Sequence, residues 1–200
     1  MAVFLMIWKT LSLITEKVPL KEYVYRKTVP WFRPLGYVLT VICLISLAWF
    51  LVYAFMGQTI INGQSMSPVL SAEDVCLVDR LKYDLGHPDR FDIVLFERAD
   101  SEKLNVKRVI GLPGETLQIR NGVVFINGEH LRDDRIGSIS LAGIADNEVE
   151  LGRDEYFVLG DNADSSEDSR FPNIGNVKQS SIKGKLWMKI RPLSEIGLLK

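Results

Sequence analysis

The chain has few of the residues on which metal sites, disulfide scaffolds and histidine-dependent catalysis rest. Its 200 residues include two cysteines and two histidines. Cys43 falls in an uncharged apolar run and Cys76 in a later, separate segment, so the sequence predicts no disulfide between them and a fold that is stable without one. A catalytic thiol at Cys76 would need a histidine partner, but His87 and His130 lie in polar, turn-like contexts. We therefore interpret Cys76 as a buried strand residue.

Several motifs that bind ions, phosphates or nucleic acids are also missing. The chain has no His-Glu-x-x-His motif, no pair of closely spaced cysteines and no glycine-rich phosphate loop, so the sequence predicts neither a metal nor a cofactor. A net charge of −1 gives no reason to expect nucleic acid as a partner.

One long run without charge is present, the 22 residues Leu35–Met56. At about 1.5 Å per residue a helix of this length measures roughly 33 Å, enough to cross a hydrocarbon core of about 30 Å. The rest of the chain has little room to bury such a helix on all sides, and a cleaved signal peptide has a shorter apolar region nearer its start. The sequence therefore predicts an N-terminal segment at residues 1–33, a transmembrane helix at 34–57 and one domain at 58–200.

The charged residues before the predicted span are mostly basic. The positive-inside rule then places the N-terminus in the cytoplasm and the domain after the span outside, which describes a single-pass protein of the cell membrane in contact with lipid. A second apolar stretch, Ala2–Ile14, is interrupted by Lys9, and we interpret it as a surface-lying helix; a second span there would invert the topology. The basic residues are Lys9, Lys17, Lys21, Arg26, Lys27 and Arg33, against Glu16 and Glu22.

The chain after the span is typical of a β domain. Short β-branched or aromatic runs are separated by turn signals, and Asn121-Gly122 predicts a two-residue hairpin turn because both residues accept a positive φ. Asn127-Gly128 predicts a further turn, and Gly137–Asn147 is interpreted as a surface loop. We expect a mostly β fold: a compact, largely antiparallel and barrel-like catalytic domain that follows one transmembrane helix. The predicted strands are Val75–Val78, Phe91–Phe96, Val106–Gly111, Thr116–Arg120, Val123–Ile126, Tyr156–Leu159 and Leu186–Ile190.

Two motifs pair a candidate nucleophile with a candidate base. Ser65 lies in Gly-Gln-Ser-Met-Ser-Pro, close after the span, and Lys107 lies in the apolar strand Asn-Val-Lys-Arg-Val-Ile-Gly. A lysine serves as a base only when it is neutral, and burial among apolar groups lowers its pKa from about 10.4. The alternative is that Lys107 is a solvated strand lysine and that the Ser-Met-Ser-Pro segment is an ordinary turn.

A third polar block, Gly160–Arg170, follows the strand Tyr156–Leu159. Three interpretations stay open: a solvated acidic turn, a calcium loop, or a hydrogen-bonded wall of an active site. The calcium-loop pattern fails because Ala163 and Ser165 occupy ligand positions and the required glycine is missing. As an active-site wall, the block would supply serine or aspartate side chains that orient the lysine.

These motifs together resemble the bacterial type I signal peptidases, membrane-anchored serine peptidases with a Ser-Lys dyad. The resemblance extends from about Ile60 to Ile190 and rests on four blocks in the family's order. The blocks are Gly63–Leu70, Arg90–Phe96, Val106–Glu115 and Gly160–Arg170.

The resemblance implies that Ser65 is the nucleophile and Lys107 the general base. It also implies that Ser166 hydrogen-bonds the lysine and that Asp168 and Arg170 form a structural ion pair beside the site. Gly63 stands where some members carry an oxyanion-binding serine, so the oxyanion would rely mainly on backbone N–H groups, such as that of Ser65.

The implied reaction is the removal of N-terminal signal peptides from exported preproteins after small residues, in the Ala-x-Ala pattern. Signal peptides are therefore the expected partners, and we expect a monomer that needs no cofactor. Ile61, Met66 and Leu70 flank the nucleophile and are candidates to line the shallow apolar substrate pockets, with ordinary core packing as the alternative for each.

Two other classes of protein compete with this reading. A soluble Ser-Lys autoprotease of the repressor-cleaving type would carry a DNA-binding domain in place of the uncharged run at Leu35–Met56. A catalytically inactive peptidase-like assembly module should have lost its serine or its lysine, and this chain keeps both.

Overall fold

A computed structural model describes residues 32–55, 57–98, 103–133, 135 and 137–199. The chain divides into two compact units, residues 1–49 and residues 50–200. The basic segment at 1–31 and the apolar stretch Ala2–Ile14, on which the predicted orientation depends, lie outside the described residues. The predicted boundaries at residues 33 and 57 therefore stay a prediction.

Helix α1 (Phe32–Phe55) contains the long apolar run. Its stretch Pro34–Ala54 has 21 residues, a mean hydropathy of 2.4 and no buried share, so its length and composition would allow it to cross a membrane. The helix begins two residues before the predicted start at residue 34 and ends two residues before the predicted end at residue 57. The chain therefore has one candidate membrane span among the residues described.

The larger of two sheets follows α1 and is antiparallel throughout. Its strands lie in the order β1-β2-β11-β3-β4-β9-β10, and β12 pairs with the end of β11. The C-terminal strand β11 thus lies between β2 and β3, which precede it by about 100 residues. The strands are β1 (Gly57–Ile60), β2 (Val75–Asp79), β3 (Ile93–Glu97), β4 (Leu104–Gly111), β9 (Glu155–Leu159), β10 (Val177–Lys178), β11 (Ile182–Arg191) and β12 (Gly197–Leu198).

The smaller sheet has the order β7-β6-β5-β8 and contains both predicted asparagine-glycine turns. Asn121 and Gly122 have φ of 51° and 77°, and Asn127 and Gly128 have φ of 51° and 81°. These positive values are those that two-residue hairpin turns require, and the strands on either side pair as predicted. The strands are β5 (Thr116–Arg120), β6 (Val123–Ile126), β7 (Glu129–His130) and β8 (Val149–Glu150).

The segment Gly137–Asn147 is largely exposed, as a surface loop should be, but two of its residues are buried. Ile139 and Ala145 are 3% and 0% exposed and join the apolar cluster of the small sheet. A 3₁₀ helix at Gly143–Asp146 carries Ala145 inward. The segment connects two strands in sequence. Its buried residues Ile139 and Ala145 also pack against the apolar face of the small sheet and cover one side of that core.

A short helix α2 (Leu81–Asp84) follows β2 and is fixed to the large sheet by a buried carboxylate. Asp92 accepts hydrogen bonds from Tyr83 and Lys82, both at 2.8 Å, and from Lys185 on β11. These donors hold the pKa of Asp92 below its usual value although burial acts in the opposite direction. The ion pairs join α2, β3 and β11 at one end of the sheet.

Candidate active site

Ser65 lies in the loop between β1 and β2, and backbone hydrogen bonds close the base of this loop. The N–H of Ile61 donates to the carbonyl of Asp74 at 2.8 Å, and the N–H of Glu73 donates to the carbonyl of Ile61 at 2.9 Å. Met66, next to the serine, has no exposed surface and packs in the apolar cluster of the large sheet. The loop is therefore anchored on both sides of Ser65.

The Lys107 side chain extends from β4 to the serine. Its Nζ lies 2.8 Å from the Oγ of Ser65, and the residue is 4% exposed. Burial lowers the pKa of Lys107 from 10.5 to about 8, while the charges of Asp168 and Glu167 oppose the shift and those of Arg170 and Arg98 assist it. A substantial part of this amine is thus neutral at mildly alkaline pH, unlike a solvated lysine.

The third polar block forms a wall beside the serine. The backbone N–H of Asn162 donates to the carbonyl of Ser65 at 3.0 Å, which ties this block directly to the loop that carries Ser65. A Cβ on Gly160 would overlap the carbonyl oxygen of Ser65 and the hydroxyl of Ser166. Only glycine fits between the two segments, so Gly160 sets how closely they approach.

Asp168 and Arg170 form a buried ion pair behind this wall. Nε of Arg170 lies 2.7 Å from Oδ1 of Asp168 and Nη2 lies 2.9 Å from Oδ2, with both side chains at most 1% exposed. The same guanidinium donates to the carbonyls of Leu141, Ala163 and Ser166, and Asp168 accepts from the N–H of Gly160. The pair holds the wall's shape without contacting the Ser65 hydroxyl.

Ser166 is placed near the site, but its predicted hydrogen bond to Lys107 is absent. The hydroxyl is buried and has no hydrogen-bond partner among the described residues. Leaving a buried hydroxyl without a hydrogen bond costs free energy. A serine hydroxyl gains a new partner by rotation about one side-chain bond, which is a small structural change. The expected role of Ser166 therefore rests on its position and not on an observed contact.

A second buried ion pair was not foreseen from the sequence. Arg108, next to Lys107 on β4, places Nε and Nη2 each 2.7 Å from the carboxylate oxygens of Asp161, and its Nη1 donates to the carbonyl of Phe91. The side chains are 1% and 4% exposed. The pair fixes the beginning of the third block to the strand that carries the lysine. An arginine within an apolar strand was the available signal, since such a charge is buried only with a partner.

The three residues proposed for the substrate pockets lie in the core. Met66 and Leu70 have no exposed surface, Ile61 is 4% exposed, and all three belong to the apolar cluster of the large sheet. They offer almost no surface to a substrate in this structure, because a pocket wall must be accessible. Their role in the pockets stays a prediction.

Cys76 is a buried strand residue, as expected. It has no exposed surface, and burial raises the pKa of its thiol to about 11, so it is inert as a nucleophile. Nδ1 of His87 lies 2.9 Å from the side-chain oxygen of Gln179, and His130 packs against the ring of Phe125. Within the part of the chain that the structure describes, no group of three or more histidine, cysteine or acidic side chains could hold a metal ion.

A serine hydroxyl within hydrogen-bonding distance of a buried lysine amine, on a β domain, is typical of a hydrolase with a serine nucleophile. The family model described as "Signal peptidase, peptidase S26" matches residues 35–190 of the chain. This match covers the candidate span except Pro34, the whole small sheet, the large sheet except Arg191 and β12, and all four sequence blocks. The chain belongs to this family of signal peptidases and is a serine peptidase.

Individual relatives agree with the family model. The chain is 31% identical to signal peptidase I of Bacillus caldolyticus over 181 residues, covering 84% of this chain and 92% of the relative. It is 32% identical to the probable signal peptidase I-2 of Synechocystis sp. over 145 residues, and the match covers 70% of this chain and 65% of that longer relative. A crystal structure of a signal peptidase I from Enterococcus faecalis shares 33% identity, covers 50% of this chain and 97% of that chain, and gives a TM-score of 0.41.

Proposed function

We propose that the chain is a signal peptidase I that cleaves signal peptides from exported preproteins with Ser65 as nucleophile and Lys107 as general base. The observation that carries the proposal is the 2.8 Å separation of the hydroxyl and the buried amine. Membership of the family supports the substrate class. We further propose preference for small residues at the first and third positions before the cut.

The reaction begins when neutral Lys107 accepts the proton of Ser65 and Oγ attacks the carbonyl carbon of the last signal-peptide residue. The tetrahedral intermediate collapses as the lysine ammonium gives its proton to the leaving amine, and the peptide C–N bond breaks. The product is an ester between Ser65 and the signal peptide. Water then gives a proton to Lys107 and attacks this ester, and Ser65 recovers the proton as it leaves.

The oxyanion requires hydrogen-bond donors that are already in place. The backbone N–H of Ser65 makes no hydrogen bond to any other described residue and is therefore available. Gly63, two residues earlier, has φ of +88° and no atom within 4 Å of a Cβ placed on it. The carbonyl of Ser65 accepts a hydrogen bond from the N–H of Asn162, which holds the following peptide plane, Ser65–Met66, and so fixes the backbone on one side of the proposed oxyanion donor.

The placement of the enzyme at a membrane belongs to the same proposal. We propose a single-pass, monomeric membrane protein with a cytoplasmic N-terminus and an extracytoplasmic catalytic domain, supported by the length and composition of α1 and by the basic residues before it. A signal peptide is held in the bilayer by its own apolar region. An enzyme anchored in the same lipid meets it at a raised effective concentration.

The proposal is tested by cleavage of an Ala-x-Ala preprotein with the purified full-length chain in detergent. Ser65→Ala and Lys107→Ala should each reduce kcat by at least about a thousandfold, since the groups act as a unit. Ser166→Ala should weaken cleavage to a smaller degree. Ser67→Ala and Lys103→Ala are the matched controls and should retain activity. Full activity in Lys107→Ala would refute the dyad, and loss of the Ala-x-Ala requirement would refute the substrate class.

A further inference from the structure

A cleft opens at the end of the large sheet where β1, β4 and β11 begin. It has a volume of about 400 Å³, within the usual range of ligand sites. Its apolar lining comes from Val78, Leu95 and Leu104, of which the first two are core residues and Leu104 is 53% exposed. The remaining lining consists of polar side chains, and none of these residues takes part in the catalytic steps described above.

Two of the strands that line the cleft, β1 and β4, both lead to the dyad. Four successive antiparallel pairings connect β1 to β4, so these two strands run in the same direction. Gln58 and Thr59 line the cleft on β1, which then continues towards Ser65, and Leu104 lines it on β4, three residues before Lys107. A chain leaving the cleft along either strand therefore arrives at the dyad.

Both strands also have a free edge beside the cleft. Strand β1 pairs only with β2, and β9 pairs with β4 only from Arg108 onward, so Leu104–Lys107 has no strand on that side within the described part of the chain. Free strand edges are sites where an extended peptide adds by main-chain hydrogen bonds. At about 3.3 Å per residue, the three residues from Leu104 to Lys107 measure roughly 10 Å. A peptide cut at Ser65 would have residues about four to six positions before the cut inside the cleft.

Two basic side chains, Arg80 and Lys183, line the cleft. Arg80 follows β2, is exposed, forms no ion pair with any described residue and lies over the ring of Tyr53 at 5.5 Å. Lys183 on β11 is 45% exposed and pairs with Glu97 at 2.7 Å. Acidic residues outnumber basic residues over positions 57–200. The charged side chains that line the cleft are both basic, so the charge of the lining is opposite in sign to the net charge of the domain.

We infer that this cleft binds the signal-peptide segment upstream of the cleavage site, and that Arg80 and Lys183 make it select acidic over basic side chains there. The inference rests on the proposed function and names a specificity determinant within it. A carboxylate in the cleft meets the charge of Arg80 and shares Lys183 with Glu97 over an apolar floor, while a lysine in the substrate meets like charge at Arg80. The selection acts on binding and therefore appears in KM more than in kcat.

The test uses full-length enzyme in non-ionic detergent at low ionic strength, with peptides that carry one Asp, Asn or Lys at successive positions before an Ala-x-Ala cut. Wild-type enzyme should cleave the Asp peptide about tenfold better than the Lys peptide in kcat/KM, with the ratio greatest at about four to six residues before the cut. The ratio should fall as salt is added. In the double variant Arg80→Gln/Lys183→Gln it should fall to near one.

A charge-matched control separates the cleft from the net charge of the domain. Arg153→Gln/Lys178→Gln removes two exposed cations that do not line the cleft and should keep the wild-type ratio. A ratio near one in wild-type enzyme, or an unchanged ratio in the cleft variant, overturns the inference while Ser65-dependent cleavage leaves the proposed function standing. The assay is repeated with vesicles that contain anionic lipid. If the cleft variant then loses activity equally on all three peptides, and keeps it in detergent, the two cations bind lipid and the inference is overturned.

Discussion

In the proposed mechanism, the pKa of the Lys107 amine sets the pH range in which the chain acts as a peptidase. Because burial lowers this pKa to about 8, the neutral base is a minority below that pH and the dominant form above it. We predict that kcat/KM rises about tenfold per pH unit below 8 and levels off above it, measured with a peptide that has no group titrating between pH 6 and 10. A profile that is flat, or that has its midpoint near the 10.5 of a solvated lysine, would contradict the assignment of Lys107 as base.

The close approach at Gly160 gives a second prediction for a single residue. Gly160→Ala places a methyl group where the Ser65 carbonyl and the Ser166 hydroxyl now lie, so the wall must move away from the nucleophile. Activity should fall by about a hundredfold or more, because small displacements of catalytic groups are costly. Gly137→Ala is the matched control, since no atom lies within 4 Å of a Cβ at that position. Equal kcat/KM for both variants would show that the contact is not required.

The proximity of Ser65 and Lys107 could be expected from sequence, whereas the exact contacts around them could not. Ser65 and Lys107 stand out as a loop serine and a lysine in an apolar strand, and the resemblance of four ordered blocks joins them. Side-chain rotamers depend on packing from distant segments, so the unpaired hydroxyl of Ser166 could not be predicted. The pairing of Arg108 with Asp161 was missed for the same reason, since 53 residues separate them.

At the level of elements, the third block depends on the ion pair between Asp168 and Arg170. Asp168→Asn leaves the buried guanidinium without its counter-charge, which typically costs about 3–5 kcal/mol. We predict a fall in Tm of roughly 10 °C in the full chain, measured by thermal unfolding in detergent. Asp133→Asn is the control, because its partner Arg135 is 38% exposed and such pairs contribute about 1 kcal/mol or less. Similar losses of Tm in the two variants would contradict the role given to the buried pair.

Strands with a clear apolar pattern were identified from sequence more readily than the two-residue strands. Thr116–Arg120 and Val123–Ile126 are found at the predicted bounds, because alternating apolar residues and an asparagine-glycine turn define both the strands and their register. Strands β7, β8, β10 and β12 have two residues each, too few to show any periodic pattern. They form because neighbouring strands supply partners, which is information that lies outside the segment itself.

For the whole molecule, the division into two units predicts separable contributions to activity. Both sheets, the dyad and the wall lie within residues 50–200. A chain lacking residues 1–49 should therefore cleave a soluble peptide with a kcat/KM within about threefold of the full chain. Its activity on a preprotein inserted in lipid vesicles should fall by at least about tenfold, because the shared anchoring that raises effective concentration is lost.

Circular dichroism of the shortened chain serves as the control for folding. Equal losses on the soluble peptide and on the vesicle-bound preprotein, in a chain that keeps its β signal, would contradict a role of α1 in bringing enzyme and substrate together. The order of strands in the large sheet could not be predicted from sequence, since pairing between β11 and its neighbours joins segments about 100 residues apart and no local pattern specifies such a partner.

The position of β11 also determines when this peptidase can become active during its own synthesis. Because β11 separates β2 from β3, a nascent chain that has not yet reached Ile182 holds the serine loop on one fragment of sheet and the lysine strand on another. The strand pairings that join these two fragments into one sheet form only after β11 has been translated and inserted between them. We therefore expect peptidase activity to appear only after the chain up to the end of β11 has been synthesised.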